Sequence, residues 1–203
     1  PSPLLQVVSL HATKVLGIGE GGVIVTTRTD AAGRVRRRTN FDLGAERQIE
    51  HAAGNAKLSE YAAAVGLAAL DGWPRRRSCL ADIHRAYGAA LANNAAVCRI
   101  FTDTTGAWVT GTVALELTRG RAIEWARCLA AAGVEARTWW GSPCNRQPAY
   151  ADAESAGMAN TMAAADSILN LPFADDMTRQ EIDRVVQAIA ASADMAKSPK
   201  TTQ

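Results

Sequence analysis

Apolar residues in the first part of the chain occur in short unbroken runs, which is a pattern typical of strands. Residues 7–10 predict a short buried strand, and residues 23–27 predict a second strand. The segment Asp30-Ala-Ala-Gly33 separates the second run from the arginine-rich residues 34–38, so we expect a β-hairpin there. Residues 39–53 are polar and without period, and they predict a loop that could cross onto another subunit.

Helical spacing of apolar residues begins at Leu58, and it predicts an amphipathic helix over Leu58–Leu70. Pro74 is expected to end that pattern, because proline lacks the backbone N–H and clashes with the preceding turn. A second, longer helix is predicted over Arg75–Ala92. Four of its large side chains are predicted to lie in the core: Leu80, Ile83, Tyr87 and Leu91.

Strand and helix patterns alternate after about Asn94, which predicts a smaller α/β domain over residues 94–191. We expect residues 1–93 to be part of a larger domain with its connecting helix, and residues 192–203 to be a flexible polar tail. Thr178 and Glu181 form a capping box at the start of the last helix. The predicted elements are a strand pair or bulged strand at 108–117, helices at 121–132 (ended by Gly133), 151–166 and 178–191, and strands at 134–139 and 168–171.

Composition and charge exclude several classes of protein. The 203 residues are 48% hydrophobic and 21% charged, with a net charge of +2, as in an ordinary globular protein. The basic cluster at 34–38 lacks interleaved aromatic residues, so we expect a solvated or interface edge and no nucleic-acid binding. No apolar run approaches the roughly 20 residues that span a bilayer, and the start lacks a signal-peptide pattern. Four widely spaced cysteines and the lack of paired histidines favour reduced thiols, no metal site and a cytoplasmic location.

The candidate chemistry lies in the stretch Ser9-Leu-His-Ala-Thr-Lys14 and the four glycines that follow it. Gly17, Gly19 and Gly22 fit the pattern G-x-G-x-x-G, but a dinucleotide-binding turn opens a helix. Here the strand at 23–27 follows the glycines, so we reject that interpretation. We expect instead a loop whose backbone can approach a ligand closely.

Lys14 is the candidate nucleophile of this loop. Its sequence neighbours are apolar, small or hydroxylic, and partial desolvation among such groups lowers the pKa of an amine, as a Schiff-base lysine requires. A solvated lysine beside a tight turn is the more frequent occurrence. Spacing alone therefore leaves both interpretations open.

Four stretches, in order, resemble the DegT-type (DegT/DnrJ/EryC/StrS) sugar aminotransferases, which depend on pyridoxal phosphate (PLP) and have the fold-type I architecture. The resemblance covers only the second half of such an enzyme. It implies a partial fold-type I structure, the end of the large PLP-binding domain followed by the small C-terminal α/β domain. The stretches are the Lys14 segment with its glycines, Gly54-Asn-Ala-Lys-Leu-Ser-Glu60 with Ala62–Leu67, Arg137–Gly141 with Gln147–Tyr150, and Leu171–Phe173 with Met177–Arg184.

The resemblance implies roles for three residues around the cofactor. Lys14 would form the Schiff base with PLP and carry the proton between the amino donor and the cofactor, and the Ser9 hydroxyl would bind the phosphate. Asn55 would reach the cofactor of the neighbouring subunit, which implies a homodimer. From the residues alone, Ser9 could cap a turn, and Asn55 after Gly54 is typical of a turn or a helix N-cap.

Trp139, Trp140 and Asn145 would, by the same resemblance, bind a sugar nucleotide that receives an amino group from glutamate or a similar donor. The family often has a histidine where this chain has Asn145, so that substrate contact would differ here. For the two tryptophans, ordinary core packing at a strand end is the alternative.

Only 13 residues precede Lys14, and none is acidic. In the family, the carboxylate that pairs with the pyridine nitrogen, the ring-stacking aromatic and most phosphate donors come before the lysine. We therefore expect a fragment of a longer protein, one half of a site completed by another polypeptide, or a degenerate non-catalytic relative serving in dimerisation or assembly. We also expect the strand at 7–10 to leave apolar surface exposed.

Overall fold

The structure is a computed structural model that describes residues 5–44, 48–103, 105–138 and 142–195. Its internal contacts divide the chain into two compact units, Pro1–Pro74 and Arg75–Gln203. This division falls before the domain boundary that the sequence suggests after residue 93, and that boundary stays a prediction.

The first unit begins with a two-stranded antiparallel sheet. Strand β1, Gln6–Ser9, pairs with β2, Gly22–Val25, so that Val8 lies opposite Val23. Both predicted strands are confirmed, and a strand does follow the glycines. The burial predicted for residues 7–10 is wrong for residues 7–9, because every residue of both strands is exposed, whereas Leu10, which follows β1, is buried. The expected exposed apolar surface is present, with Val7 77% exposed.

Helix α1, Thr29–Arg38, replaces the second strand of the predicted hairpin, which is wrong. The carboxylate of Asp30 lies 2.7 Å from Arg28 and 3.2 Å from Arg34, one helical turn later. Charge pairs four residues apart favour a helix over a strand. The arginine-rich segment therefore forms the end of a helix, where basic side chains also suit the helix dipole.

Helix α2, Glu60–Leu91, is continuous where the sequence predicted two helices separated by Pro74. Pro74 cannot bond the carbonyl of Leu70, but both residues are exposed, so water can bond that carbonyl. The predicted break is therefore wrong. The predicted core positions of the second part of α2 are confirmed, since none is more than 5% exposed: Leu80, Ile83, Tyr87 and Leu91.

The second unit is built on a four-stranded antiparallel sheet in the order β3-β4-β6-β5. Alternation along β4 fixes its buried face, since Val113 and Leu115 are fully buried and Ala114 and Glu116 are half-buried. The strands are β3 Val97–Phe101, β4 Val113–Leu117, β5 Arg137–Thr138 and β6 Ile168–Leu171. The helices are α3 Ala122–Ala131, α4 Ala159–Ser167 and α5 Arg179–Met195, with 3-10 turns at Cys144–Arg146 and Pro148–Tyr150.

One apolar cluster joins this sheet to the second part of α2 and to α3 and α5. Leu129 of α3, Leu169 of β6 and Ile189 of α5 are fully buried in it. Tyr87 is buried as well, and its hydroxyl donates a hydrogen bond of 2.8 Å to the carbonyl oxygen of Pro172. Burial raises the pKa of that phenol well above its usual value, so Tyr87 stays neutral.

Three predicted elements of the second unit have other bounds. Residues 108–112 are not strand, because the hydroxyl of Thr110 bonds the carbonyl of Thr112 at 2.6 Å and bends the chain before β4. Residues 151–158 are not helical, and α4 begins after Gly157, whose φ is +66°. Helix α5 continues to Met195 with Ser192 buried, so the tail does not begin at 192.

Two helix ends and one strand are confirmed. Strand β6 has the predicted bounds. Gly133, at φ +74°, follows α3 and donates to the carbonyl of Ala130 at 2.9 Å. At the start of α5, the N–H of Glu181 donates to the Thr178 hydroxyl at 3.3 Å, and the N–H of Thr178 donates to the Glu181 carboxylate at 2.7 Å.

Within the described ranges, no helix is both long and apolar enough to cross a membrane. The same residues hold no group of three His, Cys, Asp or Glu side chains placed to bind a metal ion. Cys79, Cys128 and Cys144 are free thiols.

Candidate active site

Lys14 lies in the loop that joins β1 to β2. Backbone hydrogen bonds extend the strand pairing into this loop, because Leu10 donates to Gly21 at 3.0 Å and Ala12 donates to Gly19 at 2.7 Å. Inside the loop, the N–H of Lys14 donates to the carbonyl of His11 at 2.9 Å and closes a turn. The loop is therefore a hydrogen-bonded structure and not a loose connection.

A tightly packed glycine and a buried isoleucine restrict the shape of this loop. Gly17 lies against the opposite side of the turn, where a Cβ atom would stand 2.5 Å from the carbonyl oxygen of Ala12. Ile18 is only 9% exposed and lies 3.8 Å from where a Cβ of Gly66 in α2 would stand. Any side chain at position 17 would push the turn apart, so the glycine there serves the shape of the lysine loop.

The side chains of Lys14 and Ser9 have groups free for a ligand. Lys14 is exposed, and its amine has no hydrogen-bond or ion-pair partner among the described residues. The desolvation expected from its sequence neighbours is therefore not supplied by the described part of the chain. The Ser9 oxygen accepts a hydrogen bond of 3.3 Å from the N–H of His11, which leaves its hydroxyl proton to donate.

This donor set fits PLP. The cofactor needs one unpaired amine for its aldehyde and hydroxyl or N–H donors for its phosphate. Lys14 offers the first and Ser9 the second, five residues apart on one braced loop. His11 is engaged within the loop, since its Nδ1 accepts from the N–H of Thr13 at 3.2 Å.

Asn55 is held in an extended segment beside the end of α1. It forms an isolated antiparallel bridge with Asn40. Its chain neighbours are bonded on both sides, because Phe41 donates to the carbonyl of Gly54 at 2.9 Å and Ala56 donates to the carbonyl of Thr39 at 2.9 Å. The Asn55 side chain is exposed, and its Oδ1 atom accepts a long hydrogen bond of 3.5 Å from the N–H of Lys57, so the segment is fixed while the side-chain NH₂ group is left to donate to a ligand.

Asp42 is a buried acid that sequence reasoning missed, because it lies in a stretch predicted only as an irregular loop. It is 2% exposed. Burial acts to raise the pKa of its carboxyl, but hydrogen bonds from the N–H groups of His51 and Glu50 outweigh that effect, and the pKa is lowered. A buried acid 13 residues before Asn55 has no sequence signature that distinguishes it from a solvated one.

The predicted substrate residues belong to the second unit. Trp139 and Trp140 lie outside the described residues. Asn145 is in the 3-10 turn Cys144–Arg146, and its Oδ1 atom is buried without a hydrogen-bond partner among the described residues. The amide of Gln147 donates to the carbonyl of Ser142 at 3.0 Å and closes this turn.

An apolar cavity of about 890 Å³ lies next to that turn. Residues of β3, β4, β6 and α4 form most of its wall, and the turn supplies the rest. Its lining includes Phe101, Ala114, Pro143, Cys144, Thr161 and Ile168. Asn145 is a chain neighbour of this lining, so the predicted substrate residue lies beside a concave apolar surface.

His84 is a buried histidine with a structural role in the second unit. Its Nε2 atom accepts from the N–H of Thr110 at 3.3 Å, and its Nδ1 atom lies 2.5 Å from the hydroxyl of Thr102. Desolvation outweighs the attraction of Asp103 and lowers the pKa of His84. The ring therefore stays neutral and ties α2 to the segment before β4.

The structure thus brings Ser9, Lys14 and Asn55 into one compact unit, and places Asn145 in the other. A solved structure described as a PLP-dependent aminotransferase from Bacillus cereus superposes with a TM-score of 0.83 at 26% identity, over 91% of this chain and 51% of that one. DesI, crystallised in the presence of its TDP-sugar product, superposes with a TM-score of 0.81 at 29% identity, over 93% of this chain and 49% of that one. The α/β structure is therefore a partial fold of the PLP-dependent aminotransferases, as the sequence predicted.

The chain belongs to the DegT/DnrJ/EryC1/StrS aminotransferase family, whose sequence pattern matches residues 4–190. One relative is the dTDP-3-amino-3,4,6-trideoxy-alpha-D-glucose transaminase of Streptomyces venezuelae, 32% identical over 89% of this chain and 48% of its own length. Another is Protein Rv3402c of Mycobacterium tuberculosis, 28% identical over 91% of this chain and 45% of its own length. The chain spans about half the length of the curated relatives it matches.

Proposed function

We propose that this chain is the lysine-bearing portion of a PLP-dependent aminotransferase that transfers an amino group from a glutamate-type donor to a keto-sugar nucleotide. The observation that carries the proposal is the exposed amine of Lys14, without a partner among the described residues, on a loop that Gly17 and Ile18 hold in one shape. The family match over residues 4–190 supports the reaction type.

Three residues have roles in this proposal. PLP, when bound, supplies an electron sink for the carbon that loses its proton. The Nζ atom of Lys14 holds the cofactor and then moves a proton from the α-carbon of the amino donor. The Ser9 hydroxyl donates to the phosphate, and Asn55 contacts the cofactor of a second subunit, which makes the homodimer the active form.

The substrate side of the proposal rests on relatives and on the second unit. A dTDP-sugar transaminase and a protein crystallised with its TDP-sugar product are both similar to this chain. Trp139, Trp140 and Asn145 are the proposed contacts to the nucleotide sugar. We place the reaction in amino-sugar biosynthesis in the cytoplasm.

A second candidate function is that of a non-catalytic dimerisation or assembly module. The observation that favours it is the sheet β1–β2, whose apolar residues are exposed on both faces. Apolar strands of this kind are normally covered by other protein. This candidate predicts association without any role for Lys14.

Absorption spectroscopy separates the two functions. PLP is added to the purified chain, and the lysine-dependent visible band is recorded for the unaltered chain, for Lys14→Ala and for Lys57→Ala. Lys57 is a matched control, because it is exposed in the same unit but bonds Asn40 at 2.6 Å. We expect the band in the unaltered chain and in Lys57→Ala, and its loss in Lys14→Ala.

Addition of L-glutamate then tests the reaction. The band is expected to bleach with release of one equivalent of 2-oxoglutarate, because the first half of a transamination leaves the amino group on the cofactor. A band with equal intensity in Lys14→Ala, or no band at all, would contradict the enzymatic function and favour the assembly module.

A further inference from the structure

Asp42 accepts several hydrogen bonds at one buried carboxylate. Its Oδ2 atom accepts from the N–H of Glu50 at 2.9 Å and from the N–H of His51 at 2.7 Å. The ring Nδ1 of His51 lies 3.2 Å from the same oxygen, and the Nε of Arg37 lies 3.2 Å from Oδ1. The Asp42 carboxylate therefore links Arg37, near the end of α1, to residues 50 and 51.

The backbone at this point is strained. Phe41 and Asp42 have φ angles of 58° and 56°, in the left-handed region that side-chain-bearing residues rarely adopt. Such conformations persist only where surrounding contacts impose them. Here the bonds from residues 50 and 51 to the Asp42 carboxylate act together with backbone hydrogen bonds, such as that from the N–H of Asp42 to the carbonyl of Arg37 at 2.8 Å, to maintain the strained turn.

This turn fixes the position of Asn55. It directs the N–H of Phe41 to the carbonyl of Gly54, beside the bridge between Asn40 and Asn55. The Asp42 carboxylate therefore holds residues 50 and 51, and the neighbouring residue Phe41 holds Gly54 through its backbone N–H, so one turn contacts the segment that carries Asn55 at two points.

We propose that Asp42 is a positioning residue for Asn55, holding the segment that presents the asparagine side chain to PLP. The proposal rests on the proposed function, since it assumes that Asn55 contacts the cofactor. Asp42 itself does not touch the ligand. Replacing it with asparagine substitutes an NH₂ donor for an acceptor in front of several donors, so the turn can no longer be held in the same way.

A double-mutant cycle tests this action through Asn55. PLP affinity of the full chain is measured by titration of the visible band for four proteins: unaltered, Asp42→Asn, Asn55→Ala and the double variant. We expect Asp42→Asn to weaken binding about tenfold, the size of a coupling within one hydrogen-bond network, and to have no further effect once Asn55 is alanine. Equal effects in both backgrounds would overturn the proposal, because general loss of structure acts regardless of residue 55.

Asp30→Asn is the matched control. Asp30 lies in α1 and, like Asp42, is an ion-paired carboxylate of the first unit, but Asp30 is exposed. We expect its PLP affinity to stay within twofold of the unaltered chain. If Asp30→Asn lowers PLP affinity as much as Asp42→Asn does, the affinity depends on helix α1 in general and not on the Asp42 carboxylate. That result would overturn the proposal.

Hydrogen exchange without PLP gives a second, independent result. The amides of Gly54 and Ala56 are expected to exchange faster in Asp42→Asn and not in Asp30→Asn, while core amides such as that of Leu115 stay protected in both. Unchanged exchange at residues 54 and 56 would overturn the positioning role even if PLP binds. If the unaltered chain takes no PLP, the proposed function fails, and exchange alone decides whether Asp42 holds the segment.

Should Asp42→Asn unfold the first unit, Arg37→Gln replaces it in both experiments. This change removes the charged partner at 3.2 Å but leaves the carboxylate its bonds to residues 50 and 51. We expect smaller effects in the same direction on PLP affinity and on exchange at residue 54. No effect on either would overturn the proposal.

Discussion

The two sheets of this chain differ in how their apolar residues are covered. In β1–β2 all residues are exposed, and Val7 and Val8 face no described side chain that buries them. In the four-stranded sheet, Val113, Leu115 and Leu169 are fully buried beneath helices. The apolar strands of the first unit thus lack the cover that those of the second unit have.

This difference suggests that the second unit contributes most of the stability, whereas the first unit carries the candidate cofactor-binding residues. The second unit has a closed core that includes helices α3 and α5. The first unit carries Lys14, Ser9 and Asn55 on segments held mainly by backbone hydrogen bonds and by the Asp42 carboxylate. Changes in the second unit should therefore act on the free energy of unfolding, and changes in the first on ligand binding and association.

The largest effect is expected from truncating the closed core. Leu129→Ala should lower the free energy of unfolding by about 2–5 kcal/mol, because the side chain is fully buried and its removal leaves a cavity. Val7→Ala should change it by no more than about 0.5 kcal/mol. Chemical denaturation followed by circular dichroism measures both, and equal losses would contradict the contrast between the sheets.

A pH dependence is expected from His84. Because its pKa is lowered in the fold from the ordinary 6.5, the unfolded chain binds the proton more tightly. Stability conferred by the neutral ring is complete above pH 6.5 and is lost as the pH falls below it. Denaturation midpoints at neutral and mildly acidic pH should therefore differ in the unaltered chain, and differ less in His84→Gln.

His11→Gln is the control for that slope, because His11 is in the first unit and partly exposed. It should keep the pH dependence of the unaltered chain. If the difference between the two denaturation midpoints disappears in His11→Gln and persists in His84→Gln, the pH dependence comes from the first unit and the assignment to His84 is wrong.

A smaller effect is expected from the cap of α5. Thr178→Ala removes the hydroxyl that accepts from the N–H of Glu181, and loss of a cap costs about 1 kcal/mol. Thermal unfolding measures this change, with the exposed loop residue Ser155→Ala as the reference. A cap variant as stable as the reference would show that the start of α5 does not limit the stability of the second unit.

Substitutions in the exposed sheet β1–β2 are expected to have the smallest effect on unfolding. They are expected to have the clearest effect on self-association. Val8→Ser and Ile24→Ser replace exposed apolar side chains, so they should reduce self-association in light scattering at high concentration. Ile123→Ser, at an exposed position of α3, should leave association unchanged. An unaltered chain that stays strictly monomeric would contradict the idea that β1–β2 is an interface.

Much of the second unit could be predicted from the sequence, because its elements carry local signals. The capping box at Thr178, the glycine after α3 and the helical spacing of Leu80 to Leu91 all match the structure. Pro74 misled the prediction, since its exposure allows a helix to pass through it. The conformation around Thr110 could not be foreseen, because it depends on bonds within the segment before β4.

In the first unit, local pattern predicted strands and the loop, but not what holds them. Residues 30–33 were predicted as a hairpin turn and residues 34–38 as its second strand, because composition does not show the ion pairs that Asp30 forms in a helix. The role of Asp42 depends on partners up to nine residues away and on a left-handed turn, neither of which leaves a mark in composition. Lys14 was predicted from its neighbours in sequence, whereas the structure shows that its amine has no partner among the described residues.

The most direct test of the central claim locates the cofactor. PLP is added to the full chain, the adduct is reduced with borohydride, and the modified peptide is identified by mass spectrometry, with Lys14→Arg and Lys57→Arg in parallel. We predict modification at Lys14 in the unaltered chain and in Lys57→Arg, and none in Lys14→Arg. Modification centred on Lys57, or equal in all three proteins, would contradict the assignment of Lys14 as the cofactor lysine.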